Sequence, residues 1–335
     1  MAATMTDVAR LAGVSVSTVS HVVNGTRLVD PTTEARVRDA IDSTGYRHNR
    51  LARALARGGG TQSIGVALSA QSNPYLADLV NPIETAVTRL GSTMLLGETH
   101  EDAGDEYHLI ATLLDRRVDG IILAPTAGAA ERTLPLLARA GVPTVLIDRA
   151  VDPLRFDQVA SDNVAPMAGL VDHLAGHGHR RVALIAGLPG LATSDERLEG
   201  YRRGVQRSGL DADPDLVVTG GSDATGAEAA TVQLLELPDP PTALVTANNY
   251  MTVGALKLLR RRGIRIPDQL AVAGFDDFEW SDLIEPPLTA IAQNWETIGR
   301  RAGELLTERM AAPDRAVRTE RVVSSLMVRR SCGCS

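Results

Sequence analysis

At 335 residues, with 44% hydrophobic and 22% charged side chains, the chain has the balance of an ordinary globular protein and is long enough for two or three domains with sizeable cores, which excludes a disordered or fibrous class. The start MAATMTDVARLAG holds no apolar stretch of signal-peptide length and no later run approaches a membrane span, so the cytoplasm is the expected compartment and no membrane partner is expected. The net charge of −7 argues against nucleic acid until its distribution is read: residues 1–57 carry eight arginines against five acidic residues, net +3, which leaves −10 for the remainder.

The basic head opens with Thr4 and Asp7 at capping-box spacing, followed by Val8, Ala9, Leu11 and Ala12, an amphipathic helix that stops at Gly13. A second helix restarts at once, capped by Ser15, with Val19, Val22 and Val23 on its apolar side and Asn24 with Gly25 at its end. Two short helices joined by a tight Gly-containing turn make a helix-turn-helix candidate. On the outer face of the second helix, Ser17, Thr18, Ser20 and His21 offer short donors and acceptors with no acidic residue, so it can approach phosphates and base edges without repulsion. An ordinary helical hairpin with a solvated Ser/Thr face is the plainer alternative.

Asp30 and Pro31 then supply a cap and a proline at the first helical position, and Val37, Ala40 and Ile41 recur at helical spacing until Gly45, with Tyr46 placed to pack beneath. The segment NRLARALAR, residues 49–57, carries Leu51 and Leu55 at i, i+4, but a helix this short is unstable alone in water. Gly58, Gly59 and Gly60 mark a flexible boundary.

From Ser63 onward, SIGVALS, TMLLG, GIILA and TVLID read as buried strands separated by helical patterns near residues 76–90, 105–116 and 131–140; RVALIAG, DLVVTG, TALVTA and LAVAGF form a second series. Continuous apolar strands alternating with helices imply parallel sheets covered on both faces, and two sets imply two lobes, with a break near residues 158–164. In such sheets a ligand sits beyond the carboxyl ends of the strands. The polar residues there include Ser69, Asn73 and Tyr75; Asp148 and Arg149; Asp162 and Asn163; Ser194, Asp195 and Arg197; Asn248 and Asn249; and Asp276, Asp277 and Trp280. Planar amides, carboxylates, arginine and aromatics suit a polyhydroxylated ligand, while helix capping and core packing are the plainer roles for Asn, Asp and Trp.

The wording DVARLAGVSVSTVSHVVNG, then VDPTTEARVRDAIDSTGYRHNRLARAL, closely resembles the start of the LacI/GalR family of bacterial transcription regulators, and the similarity runs through the whole chain. The resemblance implies a small all-α helix-turn-helix DNA-binding domain over residues 1–48, a hinge helix and linker over 49–60, and an α/β core over 61–335 of two doubly wound parallel-sheet lobes of periplasmic-binding-protein type. Lobe 1 would take about 61–161 and 293–324, and lobe 2 about 162–292 and 325–335.

It further implies that Val16, Ser17 and His21 face bases, that Thr18, Ser20 and Asn24 hold phosphates, and that Leu55 is the leucine the hinge helix pushes into the minor groove. Relatives often have Arg where His21 stands, and one imidazole cannot reproduce arginine's bidentate contact with guanine. In the cleft, Arg197 in SDERLEGY and Asp276 in GFDD match the family's effector-holding residues; Asn73, Tyr75, Arg149, Asp162, Asn249 and Trp280 complete the candidate set. Asn249 stands where the family most often has Asp, and Asn294 where it commonly has Pro.

The expected function is therefore a sequence-specific repressor, homodimeric on double-stranded operator DNA, controlled by a small effector, a sugar or sugar derivative. No leucine heptad follows Met327, so no tetramerising helix is expected. A transport-type binding protein would have a secretion signal and no basic head. An enzyme is disfavoured: Asp276 and Asp277 are adjacent and point apart, neither GxSxG nor a P-loop is present, and GLPG near residue 187 is too sparse for a dinucleotide fingerprint. No cofactor or metal is expected. His173, His177 and His179, the first two at i, i+4, are the best metal candidate, but cationic residues at a helix C-terminus explain them more simply; Cys332 and Cys334, a C-x-C pair with too few ligands for a structural zinc site by itself, read as a reduced surface tail.

Overall fold

The computed structural model describes residues 3–46, 60–69, 76–151 and 155–334. Leu55 with most of the segment expected as hinge, and Asn73 and Tyr75 of the expected effector set, lie outside the described residues. The chain divides into one unit up to Thr61 and another from Gln62 onward. No helix among the described residues is long and apolar enough to cross a membrane.

Among the described residues of the first unit the caps fix three helices, α1 (Met5–Ala12), α2 (Val16–Asn24) and α3 (Pro31–Thr44). The Thr4 hydroxyl accepts from the Asp7 backbone N–H at 3.3 Å while the Asp7 carboxylate accepts from the Thr4 N–H at 3.0 Å, the reciprocal pair of a capping box. Ser15 accepts from Thr18 N–H at 3.1 Å, and Asp30 accepts from Thr32 and Thr33 N–H. Gly13, Gly25 and Gly45 end the three helices in the left-handed conformation. Val8, Ala9, Ala12, Val19, Val37 and Ala40 close a core against which Tyr46 packs. Leu11, grouped above with the apolar face, is 59% exposed, since Val8 and Ala12 take the inward stripe one turn apart. The Arg36 guanidinium donates to Ala12 O at 2.6 Å and so meets the carbonyl end of α1.

The second unit holds two six-stranded sheets. The first runs β11 (Thr319–Val322), β5 (Asp157–Ser161), β4 (Thr144–Ile147), β3 (Gly120–Leu123), β1 (Ser63–Leu68), β2 (Thr93–Glu98), all parallel. The second runs β12 (Ser325–Met327), β10 (Thr289–Ala292), β9 (Ala271–Phe275), β8 (Ala243–Thr246), β6 (Val182–Ala186), β7 (Val217–Thr219), with only β12 antiparallel. The chain passes between the sheets after β5, after β10 and after β11.

Both faces of the first sheet are covered, which explains strands without polar alternation. Ile64, Val66 and Leu68 pack with Leu79, Ile83 and Val87 of α4 (Leu76–Arg89) and with Ile298, Leu305 and Leu306 of α11 (Trp295–Ala311). On the other face, Ala67, Ile121 and Leu123 meet Ile110 and Leu113 of α5 (Ala103–Asp115) and Leu134 and Leu137 of α6 (Thr133–Ala140). Gly299 and Gly303 let α11 lie against α4: a Cβ on Gly303 would fall 2.2 Å from that of Ala86. The second lobe is built on α7 (Val164–Gly176), α8 (Ala192–Ser208), α9 (Ala224–Leu235) and α10 (Asn249–Arg261) around one apolar cluster. Cys332 belongs to that cluster and is fully buried, so the expected surface tail is instead packed into the lobe.

One fully buried carboxylate fastens the last part of the first lobe. Asp157 on β5 accepts from Arg309 Nε at 2.9 Å, from Arg315 Nη2 at 2.8 Å and from the Arg318 backbone N–H at 2.9 Å, so it holds the segment that leads into β11. Removing one partner of a buried pair costs about 3–5 kcal/mol. Asp157→Ala should lose that amount in urea unfolding, and an unchanged midpoint would show that the clamp does not stabilise the lobe.

Candidate functional site

Two surfaces combine chemistry that the fold alone does not require. The first is α2, which has no acidic residue in its first turn. Val16 is 43% exposed, Ser17 is exposed, and Thr18, Ser20, His21 and Asn24 are half-buried. Helical spacing puts Ser17 and His21 in one row and Val16, Ser20 and Asn24 in the next. These side chains are held locally: Ser15 Oγ lies 2.7 Å from Ser17 Oγ and 2.8 Å from Thr18 Oγ1, His21 Nδ1 lies 2.9 Å from Thr26 Oγ1, and Asn24 Nδ2 donates to Ser20 Oγ at 2.9 Å. Short side chains fixed in this way lose little entropy when a ligand meets them.

The second is the cleft between the sheets of the larger unit, at the carboxyl ends of their strands. Asp148 and Arg149 enter it from the loop after β4; Leu191, Thr193, Ser194 and Arg197 from α8 and the residue before it; Ser222, Ala247 and Asn248 from the loops after β7 and β8; and Asp276, Gln293 and Trp295 from the segments after β9 and β10. Its cavity volume is about 30 Å³, far below the roughly 300–1,000 Å³ of a ligand pocket.

Arg197 is the centre of this cleft. Its guanidinium donates to Asn163 Oδ1 at 2.9 Å, to Ala247 O at 2.7 Å and to Asp276 Oδ2 at 3.3 Å, and lies 3.9 Å over the Phe275 ring. Asp276 also accepts from the Gln293 amide. From Asn163 the network continues to Glu196, which accepts from Asn163 Nδ2 at 2.7 Å and pairs with Arg321 Nη2 at 2.6 Å. Arg321 sits on β11 of the first sheet and Glu196 on α8 of the second lobe, so this pair crosses between the lobes.

On the opposite wall, Arg149 is held by both Glu101 oxygens, at 2.6 and 2.9 Å, and by Pro125 O at 3.0 Å. Burial works against its charge, but Glu101 and Asp148 more than offset it and raise its pKa. Burial pushes the Asp148 carboxyl above the ordinary range, opposed by Arg149 and Arg197. Asp148 (φ 65°) and Asp276 (φ 71°) both occupy the left-handed region directly after a strand, one in each lobe. That backbone state is uncommon outside glycine, and Asp tolerates it better than most residues.

Of the residues expected to bind an effector, Arg149, Arg197 and Asp276 come together here. Asp162 does not line the cleft: its carboxylate accepts from Val164 and Ala165 N–H at 3.1 and 3.3 Å and caps α7. Asn249 is buried in the first turn of α10, its Oδ1 accepting from Tyr250 N–H at 2.8 Å, while Asn248 takes the place on the wall. Trp280 is 60% exposed and borders a separate surface groove with Leu256, Ile284 and Pro286. The indole in the cleft is Trp295. The signal for it was available, because Gln293 and Trp295 are the polar and aromatic residues that follow β10, a strand that lay above only within the boundary between the expected lobes. Glu101 and Glu196, which hold the two arginine networks, had no comparable signal.

Residues 4–49 match the family described as bacterial regulatory proteins, lacI family, and residues 171–332 match the periplasmic binding protein-like domain. The ribose operon repressor of Escherichia coli (strain K12) is 35% identical over 311 residues, covering 93% of this chain and 94% of its own. The HTH-type transcriptional repressor PurR of Aliivibrio fischeri (strain MJ11) is 31% identical over 332 residues, 98% of each. Among solved structures, the lac repressor dimer bound to operator and the anti-inducer ONPF aligns over 99% of both chains with TM-score 0.85 and 27% identity. The transcriptional regulator CelR in complex with cellobiose aligns over 98% of this chain and 99% of its own, with TM-score 0.73 and 30% identity. A three-helix head, two doubly wound lobes and relatives at this identity along nearly the whole chain agree: the protein belongs to the lacI family of bacterial regulatory proteins.

Proposed function

We propose that the protein is a homodimeric repressor that binds operator DNA through α2 and is controlled by a sugar held in the interlobe cleft, with no enzymatic step, acting on DNA in the bacterial cytoplasm. The observation that carries this reading is the buried Arg197 network. It presents guanidinium, carboxylate and amide groups, with the Trp295 indole beside them, in a cleft on the same chain as a helix-turn-helix unit. Adjacent hydroxyls of a sugar ask for bidentate partners of this kind and for a flat apolar face. The ribose operon repressor and the cellobiose complex of CelR, both similar to this chain, support a sugar over other small molecules.

On the DNA side, Val16, Ser17 and His21 would face base edges, and Thr18, Ser20 and Asn24 would hold phosphates. Ser20 and Asn24 would exchange their mutual hydrogen bond for phosphate oxygens, and Leu55 would act as the minor-groove wedge. Trp280 and Leu283, 60% and 81% exposed, offer apolar surface of the kind that association covers, which supports the second copy. Coupling between cleft and operator is reciprocal, typically about 5- to 150-fold.

The cleft reading is checked by calorimetry of the full-length protein against pentoses, hexoses and disaccharides, with purines as the competing class. A sugar should bind, and Arg197→Lys should weaken it at least about tenfold, because an ammonium cannot serve Asn163, Ala247 and Asp276 together. Binding confined to a purine, or a sugar affinity that Arg197→Lys leaves alone, overturns the assignment. On the DNA side, selection of genomic fragments with and without the sugar should give one operator whose affinity the sugar changes. His21→Arg should then favour guanine at one operator position by about 1–3 kcal/mol; an unaltered preference removes His21 from base reading.

A further inference from the structure

The carboxyl-terminal tail and the end of α7 assemble a donor set that neither the cleft nor the DNA surface uses. His173 and His177 stand at i, i+4 on the last turn of α7, with their rings edge to face at 4.7 Å between centroids. Nearly 160 residues later the tail turns through a short 3₁₀ segment, Arg330–Cys332, and reverses at Gly333, whose φ of 90° a side chain would strain. That reversal brings both cysteines against the imidazoles. Cys334 Sγ lies 3.1 Å from His177 Nε2 and 3.4 Å from His173 Nε2; Cys332 Sγ lies 3.3 Å from His173 Nε2 and 2.9 Å from Cys334 Sγ. The ligand atoms of His173, His177 and Cys334 all fall within 4.8 Å of one another.

We propose that His173, His177 and Cys334, with Cys332 as fourth donor, bind a zinc ion that clasps the tail to α7. Two imidazoles and two thiols are the tetrahedral donor set of a closed structural zinc site, with the paired histidines on one helical turn and the paired cysteines on one chain reversal. Around such an ion, bond lengths of about 2.3 Å to sulfur and 2.0–2.1 Å to nitrogen space N and S by roughly 3.6 Å and the two sulfurs by roughly 3.8 Å. The three imidazole–thiol pairs at 3.1 to 3.4 Å therefore need to part by only a few tenths of an ångström and the sulfurs by about 0.9 Å, while Cys332, outside the group of ligand atoms within 4.8 Å of one another, must move towards His177 to complete the set.

The surroundings hold the donors in place. Cys332 is fully buried, with the Thr289 hydroxyl 3.1 Å from its sulfur, and Ser331 fixes the same turn by donating to Val272 O at 2.6 Å. His179, the third histidine of the sequence cluster, lies apart from the donor set, its Nδ1 2.9 Å from Thr242 Oγ1. His177 is exposed and Cys334 half-exposed, which gives the ion a path in. Neutral hydrogen bonding alone explains less, because a thiol is a weak donor and a weak acceptor.

The site is at the far end of α7 from Asn163, which touches Arg197, roughly 20 Å along a helix of this length. Its loss should therefore leave operator and effector binding at their wild-type values. The test uses full-length protein, reduced and stripped with chelator, titrated with Zn2+ against a chromophoric chelator and with Co2+ for its spectrum. One Zn2+ per chain is expected, with a raised melting temperature and a thiolate-to-cobalt charge-transfer band. Cys334→Ser and His177→Ala should each lose more affinity than the about 10- to 100-fold that removing an outer-shell partner costs, with circular dichroism and operator affinity reporting that each variant folds. Three results overturn the proposal: no charge-transfer band in the wild-type protein, Zn2+ held equally well by Cys334→Ser, or a Cys332–Cys334 disulfide that forms despite equimolar Zn2+.

Discussion

The guanidinium of Arg197 is nearly sealed from water, and burying a cation costs several kcal/mol unless partners replace its hydration. Three oxygens and the face of Phe275 do so. Each comes from a different stretch of chain: Asn163 beside the first crossing between lobes, Ala247 after β8, Asp276 after β9. Because all must be in place together, the arginine dictates how the strand ends of the second lobe converge, and through Gln293 it reaches the second crossing. The cleft is the geometric consequence of satisfying one charge.

What could be read in the sequence divides along the same line. Caps are local, so Thr4 with Asp7, Ser15, and Asp30 with Pro31 located the helices of the head, and the left-handed glycines located their ends. Apolar runs announce strands, so eight were visible; β5, though fully buried, carries Asp157, Gln158 and Ser161, and β10, β11 and β12 are short, edge-placed or interrupted by polar residues, so these four were less so. In the cleft, the rule that ligands lie beyond strand ends found Arg149, Arg197 and Asp276. It could not separate a wall residue from a helix cap, because Asp162 and Asn248 both follow strands and both cap helices, and only Asn248 also borders the cavity. Trp280 and Trp295 are each near a strand end, and the choice between them rests on a fold-level fact, the path of β10.

Contacts between residues far apart in the chain were illegible for a different reason. Glu196 with Arg321, and His173 with Cys332 and Cys334, are separated by more than a hundred residues. A glutamate on a helix and an arginine on a strand carry no local mark, and the His173/His177 and Cys332/Cys334 pairs, though each is a local pattern, give no sign of one another. Only the topology, which returns β11 beside β5 and β12 beside β10, brings them together.

The same topology sets the terms on which a ligand can act. With a cavity of only about 30 Å³ between the walls, far below the roughly 300–1,000 Å³ of a ligand pocket, any sugar would first have to part groups that are now bonded to one another. Arg197 with Asp276, and Asp276 with Gln293, are the bonds in its way, and they are also the groups that would receive its hydroxyls. Binding is then an exchange, protein–protein hydrogen bonds for protein–ligand ones, and its net free energy is smaller than the contacts in the complex would suggest. Such an exchange would bear on the separation of the lobes, because Gln293 belongs to a crossing segment and Arg321 with Glu196 spans another. A ligand moves that equilibrium only by its differential affinity for the two arrangements. On the proposed reading, the crossings are where a ligand's differential affinity would be converted into a change of shape, and side chains there, more than those on the cleft floor, would determine whether a bound sugar is felt elsewhere in the chain.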